Sequence, residues 1–289
     1  MIGVAGTAPG LVLRAEQCVY VVLPGPPGEL RRLWPAAVAS EALGAVLRRT
    51  TPPGRHVLRL FGVSESAVAQ ALADAGGDGD GVEATICARD FEIHVDLVVE
   101  PGAEARGEAL AAALRAPLER YLFSEDERPV AELVLELCRA DGYRLATAES
   151  CTGGLVAARL SDVPGASDVL AGGIVAYAND VKTAELGVSE PLLAEHGAVS
   201  AEAAEAMAAG VRERLGVEVG IAVTGVAGPG GGTPEKPVGL VYFHVSTPER
   251  DEGRSFSLPG DRATIRSRAT VSALHLARRV LTRSQHEAA

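Results

Sequence analysis

Apolar and polar positions fall into three differently patterned stretches. From about residue 126 onward, apolar runs of strand length alternate with stretches of helical period. Val130, Leu133, Val134, Leu137 and Cys138 follow helical spacing, and Gly142 can end that helix. Strands are predicted at Leu145–Ala148, Val169–Ala176, Val217–Val223 and Val238–Val245. Helices are predicted at Thr152–Leu160, Asp180–Leu186, Ala201–Leu215 and Asp261–Leu281. This alternation predicts an α/β fold of three layers with a largely parallel sheet, whose ligands gather at strand ends.

Residues 51–123 read differently. Val57–Leu60 is a strand, and Ser64 caps a helix through Ala73. Residues 76–81 form a glycine-rich turn. Phe91, Ile93, Val95, Leu97 and Val99 alternate as in a half-buried strand, and Ala103–Tyr121 is helical. The order β-α-β-β-α predicts a small α+β domain. Residues 1–50 hold two loop motifs, Gly6–Gly10 and Leu23–Glu29, around one buried strand at Cys18–Val22. That is too little for an independent core. Ser124–Pro129 reads as a polar linker.

Composition narrows the function. The net charge of −11 argues against a general nucleic-acid surface, and 4% aromatic residues weaken any reading based on base stacking. Cys18, Cys87, Cys138 and Cys151 are far apart and the six histidines are scattered, so no metal-ligand spacing exists and a reduced cytoplasmic protein is expected. No run is long enough to span a bilayer and no signal pattern opens the chain, so no membrane partner is expected.

Three clusters could carry chemistry. In Leu145–Leu155 an apolar run ends in Glu149-Ser150-Cys151, and Gly153 and Gly154 open a helix. A hydroxyl and a thiol then stand beside backbone N–H groups suited to an anion or oxyanion. Ser150 needs a base. Lys182, in the first turn of the helix after Asn179, is disfavoured as an ammonium by the helix dipole and by burial. The plain alternative makes Ser150 a helix cap and Lys182 a solvated side chain. Cys151, next to Ser150, should point the other way and be a buried thiol. The second cluster, Thr224–Gly232, packs five glycines after an apolar strand and allows close approach of a ligand, with Thr233–Pro237 as a lid. In the third, Arg262 and Arg266 share a helix face and would both be satisfied by a phosphate. The alternative there is a solvated basic face.

Together these motifs resemble the CinA family (competence/damage-inducible protein), whose C-terminal domain is the nicotinamide mononucleotide (NMN) deamidase also called PncC. The matching residues are Ala148–Gly154, Tyr177–Lys182, Gly197–Ser200, Thr224–Gly231 and Gly260–Arg262 with Arg266, over about 126–285. The resemblance implies amide hydrolysis of NMN to nicotinate mononucleotide and ammonia, without cofactor or metal, in a homodimer. It puts the Ser/Lys pair on Ser150 and Lys182. Tyr177 joins them as catalytic. Thr152, Gly153, Gly154, Thr224, Gly225, Ala227, Gly228, Arg262 and Arg266 become substrate- and phosphate-binding, with the amides near Thr152–Gly154 as oxyanion donors. It further implies that 51–123 is the family's connecting domain. Residues 1–50 would be a remnant of a molybdopterin-binding-like domain, most of which, with its acidic metal-binding part, has no counterpart in these residues. Two rival functions stay open: a nucleotide-binding or regulatory competence protein without turnover, and a residual ADP-ribose pyrophosphatase.

Overall fold

A computed structural model describes residues 1–6 and 8–287, and side chains through residue 282. Thr7 of the first loop motif lies outside the described residues. In chain order the elements are β1 (Gly3–Val4), β2 (Pro9–Arg14), β3 (Val19–Val22), α1 (Pro27–Ala39), α2 (Glu41–Leu47), β4 (Gly54–Phe61), α3 (Glu65–Asp74), β5 (Val82–Arg89), β6 (Glu92–Val99), α4 (Glu104–Leu118) and β7 (Leu122–Ser124). They continue as α5 (Val130–Asp141), β8 (Leu145–Glu149), α6 (Leu155–Ser161), β9 (Leu170–Val175), α7 (Asn179–Leu186), α8 (Glu190–His196), α9 (Ala201–Leu215), β10 (Val219–Gly225), β11 (Leu240–Ser246), β12 (Asp251–Ser257) and α10 (Arg262–Glu287).

The chain forms two compact units. One comprises Met1–His56, Gly76–Ala84 and Leu97–Ala113; the other comprises Val57–Ala75, Thr85–Asp96 and Leu114–Ala289. In the first unit, β1, β2 and β3 pair antiparallel. The Cys18–Val22 strand is not buried as its apolar composition predicts. Tyr20 and Val22 are exposed, because this small sheet covers only one of its faces. The sheet of β4–β7 has the order β5-β6-β4-β7. Ser64 caps α3 by accepting from the Ala67 amide, as its position predicts. Phe91 precedes β6 rather than beginning it. With Asp90 it adopts positive φ and forms the hairpin turn between β5 and β6. Ser124–Pro129 is no loose linker: Ser124 pairs with Arg59, and Asp126 accepts from Ser124 and Arg128.

The second unit contains a five-stranded sheet of order β12-β11-β10-β8-β9. Strands β10, β8 and β9 are parallel, while β11 and β12 add antiparallel at one side. The α/β class stands, with the parallel part confined to these three strands. The charged sequence of β12 hides it from an apolar-run reading. One face of the sheet, with Leu145, Ile221 and Val223, packs on α5, α6 and α10. The other, with Ala146, Ala148 and Ala222, packs on α7 and α9.

Small residues bring that second layer close. A Cβ on Gly220 would lie 2.3 Å from the Ala208 carbonyl, and one on Gly210 only 1.8 Å from the Leu186 carbonyl. Alanine normally stabilises a helix interior over glycine by roughly 1 kcal/mol. At Gly210 the backbone clash outweighs that gain, because a carbonyl cannot rotate away. Gly210→Ala is expected to destabilise by about 1–3 kcal/mol, read as a lower Tm in thermal unfolding.

Candidate active site

Parallel pairing puts the ends of β8 and β9 side by side. The Ser150 amide donates to Val223 O at 2.9 Å and the Ala176 amide to Glu149 O at 2.9 Å, extending the ladder past both strand ends. Beyond Ser150 the chain turns sharply through Gly153 (φ +61) and Gly154 (φ +96), conformations that glycine adopts without a Cβ penalty. Beyond Ala176, α7 begins, and Ala178 rather than Asn179 is its N-cap.

Lys182, in the first turn of α7, reaches back under this junction. Its side chain is 1% exposed. Nζ lies 3.2 Å from Ser150 Oγ, 2.8 Å from Ala176 O and 3.3 Å from Tyr177 O. Burial pushes its pKa below the usual 10.5, against a smaller opposing effect of Cys151. The two carbonyls and the serine oxygen can accept all three N–H groups of an ammonium; in the neutral form two N–H groups would stay on the carbonyls and the lone pair would turn to the serine hydroxyl. Ser150 itself is half-buried and open to solvent.

Cys151 is buried, and burial pushes its thiol up to about 12. It therefore stays protonated at neutral pH and is no rival nucleophile. In the folded protein, iodoacetamide at pH 8 is expected to modify exposed Cys18 and to spare Cys151, as peptide mass mapping would show.

The two arginines of α10 act as braces. Arg266 donates from Nε to Cys151 O at 3.0 Å and from Nη2 to Thr152 O at 2.7 Å. Arg262 donates to Gly228 O at 2.8 Å and to Tyr177 Oη at 2.6 Å. Neither guanidinium waits on an anion for its partners, contrary to the argument from their spacing alone. Each still has donors beyond these two bonds. Tyr177 is 58% exposed, and its hydroxyl sits on Arg262.

The amides at the start of α6 are not free. Glu149, 1% exposed, accepts from the Gly154, Val156 and Ala157 amides at 2.9, 3.0 and 2.8 Å, and from Thr147 Oγ1 at 3.1 Å. The Gly153 amide donates to Ser150 O. Of the expected oxyanion donors at Thr152–Gly154, the Gly153 and Gly154 amides are thus already engaged. Glu149 is the site residue that motif reading missed; its signal is a lone acid closing an apolar strand ahead of two glycines.

Other assignments also move. Thr152 is fully buried, and its Oγ1 has no hydrogen-bond partner among the described residues. Thr224 donates to Ala198 O at 2.6 Å and so holds the 197–200 turn. A Cβ on Gly225 would meet Leu240 O at 2.8 Å, so β11 rather than a ligand requires this glycine. Ala227 lies in the core. Gly228 contributes its carbonyl to Arg262. The Thr233–Pro237 segment closes on itself through Thr233 and Lys236, and Lys236 Nζ donates to His196 O. Among the described residues, no group of three or more His, Cys, Asp or Glu is placed to hold a metal ion, and no helix is long and apolar enough to cross a membrane.

A three-layer α/β domain with a serine and a buried lysine paired at adjoining strand ends is the class that this geometry defines. The chain belongs to the CinA family: the family model of the CinA C-terminal domain matches residues 127–281, and that of the damage-inducible protein CinA KH domain matches 55–124. It is 46% identical over 285 residues to a CinA-like protein of Mycolicibacterium paratuberculosis, covering 96% of this chain and 65% of that protein. To a CinA-like protein of Mycobacterium tuberculosis it is 45% identical over 281 residues, with 96% and 65% covered. The chain thus spans about two thirds of the length of these relatives. Among solved structures, the competence/damage-inducible protein CihA of Agrobacterium tumefaciens matches with a TM-score of 0.51 and 36% identity, over 55% of this chain and 99% of that one. The competence damage-inducible protein A of Klebsiella pneumoniae matches with a TM-score of 0.50 and 34% identity, over 54% and 98%.

Proposed function

We propose that this chain is an amidohydrolase that converts NMN to nicotinate mononucleotide and ammonia. The observation that carries the reading is the 3.2 Å approach of buried Lys182 Nζ to Ser150 Oγ. Neutral Lys182 takes the hydroxyl proton as Oγ adds to the carboxamide carbon. The resulting ammonium returns the proton to the amide nitrogen, which leaves as ammonia. Water, deprotonated by the same amine, then hydrolyses the ester and frees Ser150. The Tyr177 hydroxyl and the remaining Arg262 donors are the polar groups open to the substrate's carbonyl and phosphate. No step in this scheme passes through a metal.

The test is ammonia release from NMN. The unaltered chain is expected to release one ammonia per nicotinate mononucleotide formed, with chelator making no difference. Ser150→Ala is expected to abolish turnover while leaving the melting curve unchanged, since the lost hydroxyl is half-buried at a strand end. Full activity in Ser150→Ala would transfer the attack to a lysine-activated water.

A further inference from the structure

We propose that a cavity separate from the Ser150 site binds a nucleoside phosphate. This goes beyond the amidase reading and does not depend on it. The cavity has a volume of about 540 Å³, and neither Ser150, Lys182, Tyr177, Arg262 nor Arg266 lines it. All its lining residues belong to the second compact unit. Its size falls in the range of small-molecule sites.

Its walls combine positive charge with aromatic faces. Arg120, Arg268 and Arg278 line it, and among the described residues none of the three pairs with a carboxylate. Arg254 and Arg279 also line it, and each pairs with Glu252 at 2.7 Å. The Nε atoms of Arg268 and Arg278 and Nδ1 of His275 are buried without hydrogen-bond partners. Buried donors and acceptors are normally satisfied, and a partly buried guanidinium beside a like charge is costly unless an anion joins it. Burial and the neighbouring Arg279 both act against the charge of Arg278. Arg268 already donates from Nη1 to Pro259 O at 2.7 Å, and a phosphate would supply oxygens to the donors of both forks that remain.

Phe91, Tyr121 and Phe256 provide flat apolar surface on the same walls. Phe91 is held at φ +68, a region that bulky residues avoid. Its ring carries the Arg268 guanidinium at 4.1 Å from the centroid. That stacking leaves the guanidinium edge open to an anion while the aromatic surface takes a planar ring. The chain's net charge of −11 disfavours a polyanion and selects a single nucleotide over a nucleic acid.

The test is isothermal titration calorimetry of the full chain with AMP, with adenosine and inorganic phosphate in separate arms. AMP is expected to bind, more weakly as salt rises, and more tightly than either fragment. The double variant Arg268→Ala/Arg278→Ala is expected to weaken AMP binding at the cavity by on the order of tenfold or more, whereas Arg262→Ala removes only AMP held at the Ser150 site and leaves the cavity's binding in place. If the double variant melts early, exposed Arg120→Ala replaces it, with a smaller loss expected in the same direction. The proposal is overturned if AMP does not bind, if adenosine binds as tightly as AMP, or if binding is lost in Arg262→Ala and kept in the cavity variants.

Discussion

Lys182→Met is expected to lower kcat for NMN amide hydrolysis by roughly 10²–10⁴-fold, the usual contribution of a positioned general base. Methionine keeps most of the side-chain volume and removes only the amine that touches Ser150 Oγ, Ala176 O and Tyr177 O. Two opposing effects bear on stability. The variant no longer has to bury an amine, which favours folding, and it leaves two carbonyls short of a donor, which does not. The melting temperature should therefore change little while turnover collapses. The pH profile gives an independent check. Activity needs the neutral amine, so in the unaltered chain kcat should rise with pH through a pKa displaced below 10.5 by burial. In Lys182→Met that ascending limb should be missing. The same displacement has a stability consequence. Between the folded pKa and 10.5 the unfolded chain binds more protons at this site than the folded one. Stability contributed by Lys182 thus rises with pH across that window and is lost as pH falls through the folded value. A full-activity Lys182→Met enzyme would remove the lysine from the mechanism.

Glu149→Ala is expected to have the largest effect on stability. The carboxylate is buried at the end of β8 and accepts three backbone amides of the following turn and helix. Its removal strands the buried Val156 amide and leaves the half-buried Gly154 and Ala157 amides short of their acceptor, at about 1–3 kcal/mol for the first and less for each of the others. A loss of about 3 kcal/mol or more corresponds to a Tm lower by ~6 °C or more for a domain of this size. Glu149→Gln keeps one accepting oxygen and presents an N–H₂ group to a donor, so it should fall between. Glu149 touches no reacting atom. It holds the turn that presents Ser150, and both variants should lose kcat more than they raise KM. Thermal unfolding and steady-state ammonia release separate the two contributions. Unchanged melting in Glu149→Ala would mean that the amides find other partners.

The pairing at the centre of the site was legible in the sequence because chemistry and secondary structure coincide there. An apolar run closing on Ser150 places a hydroxyl at a strand end, and Lys182 in a first helical turn after the neighbouring strand has one direction in which to reach. The order of strands and helices in the C-terminal domain followed from the same alternation. Other features depend on tertiary partners that no local pattern encodes. Arg262 and Arg266 share a helix face, as their spacing requires, yet what they meet are carbonyls of Gly228, Cys151 and Thr152, more than thirty residues away in the chain. Glu149 reads as the polar end of a strand until the fold brings the Gly154, Val156 and Ala157 amides around it. Thr224 and Gly225 read as ligand-facing because they follow a central strand, whereas the neighbouring turn and strand β11 claim them. Strand β12 and helix α8 escaped notice for a simpler reason. One is a charged edge and the other is short, and neither carries a long apolar signature.

The brace formed by the first turn of α10 ties reactivity to the anchoring of that helix. Its opening residues grip three separate loops, while Ala269, Leu276 and Val280 further along are sealed against the sheet. Peeling the helix back by a single turn would slacken the Ser150 turn and the Tyr177 segment at once, with the β-strands still intact. Turnover should consequently fade before global melting on warming or in mild urea, and the earliest amides to exchange with deuterium in that regime should be those at residues 262–266.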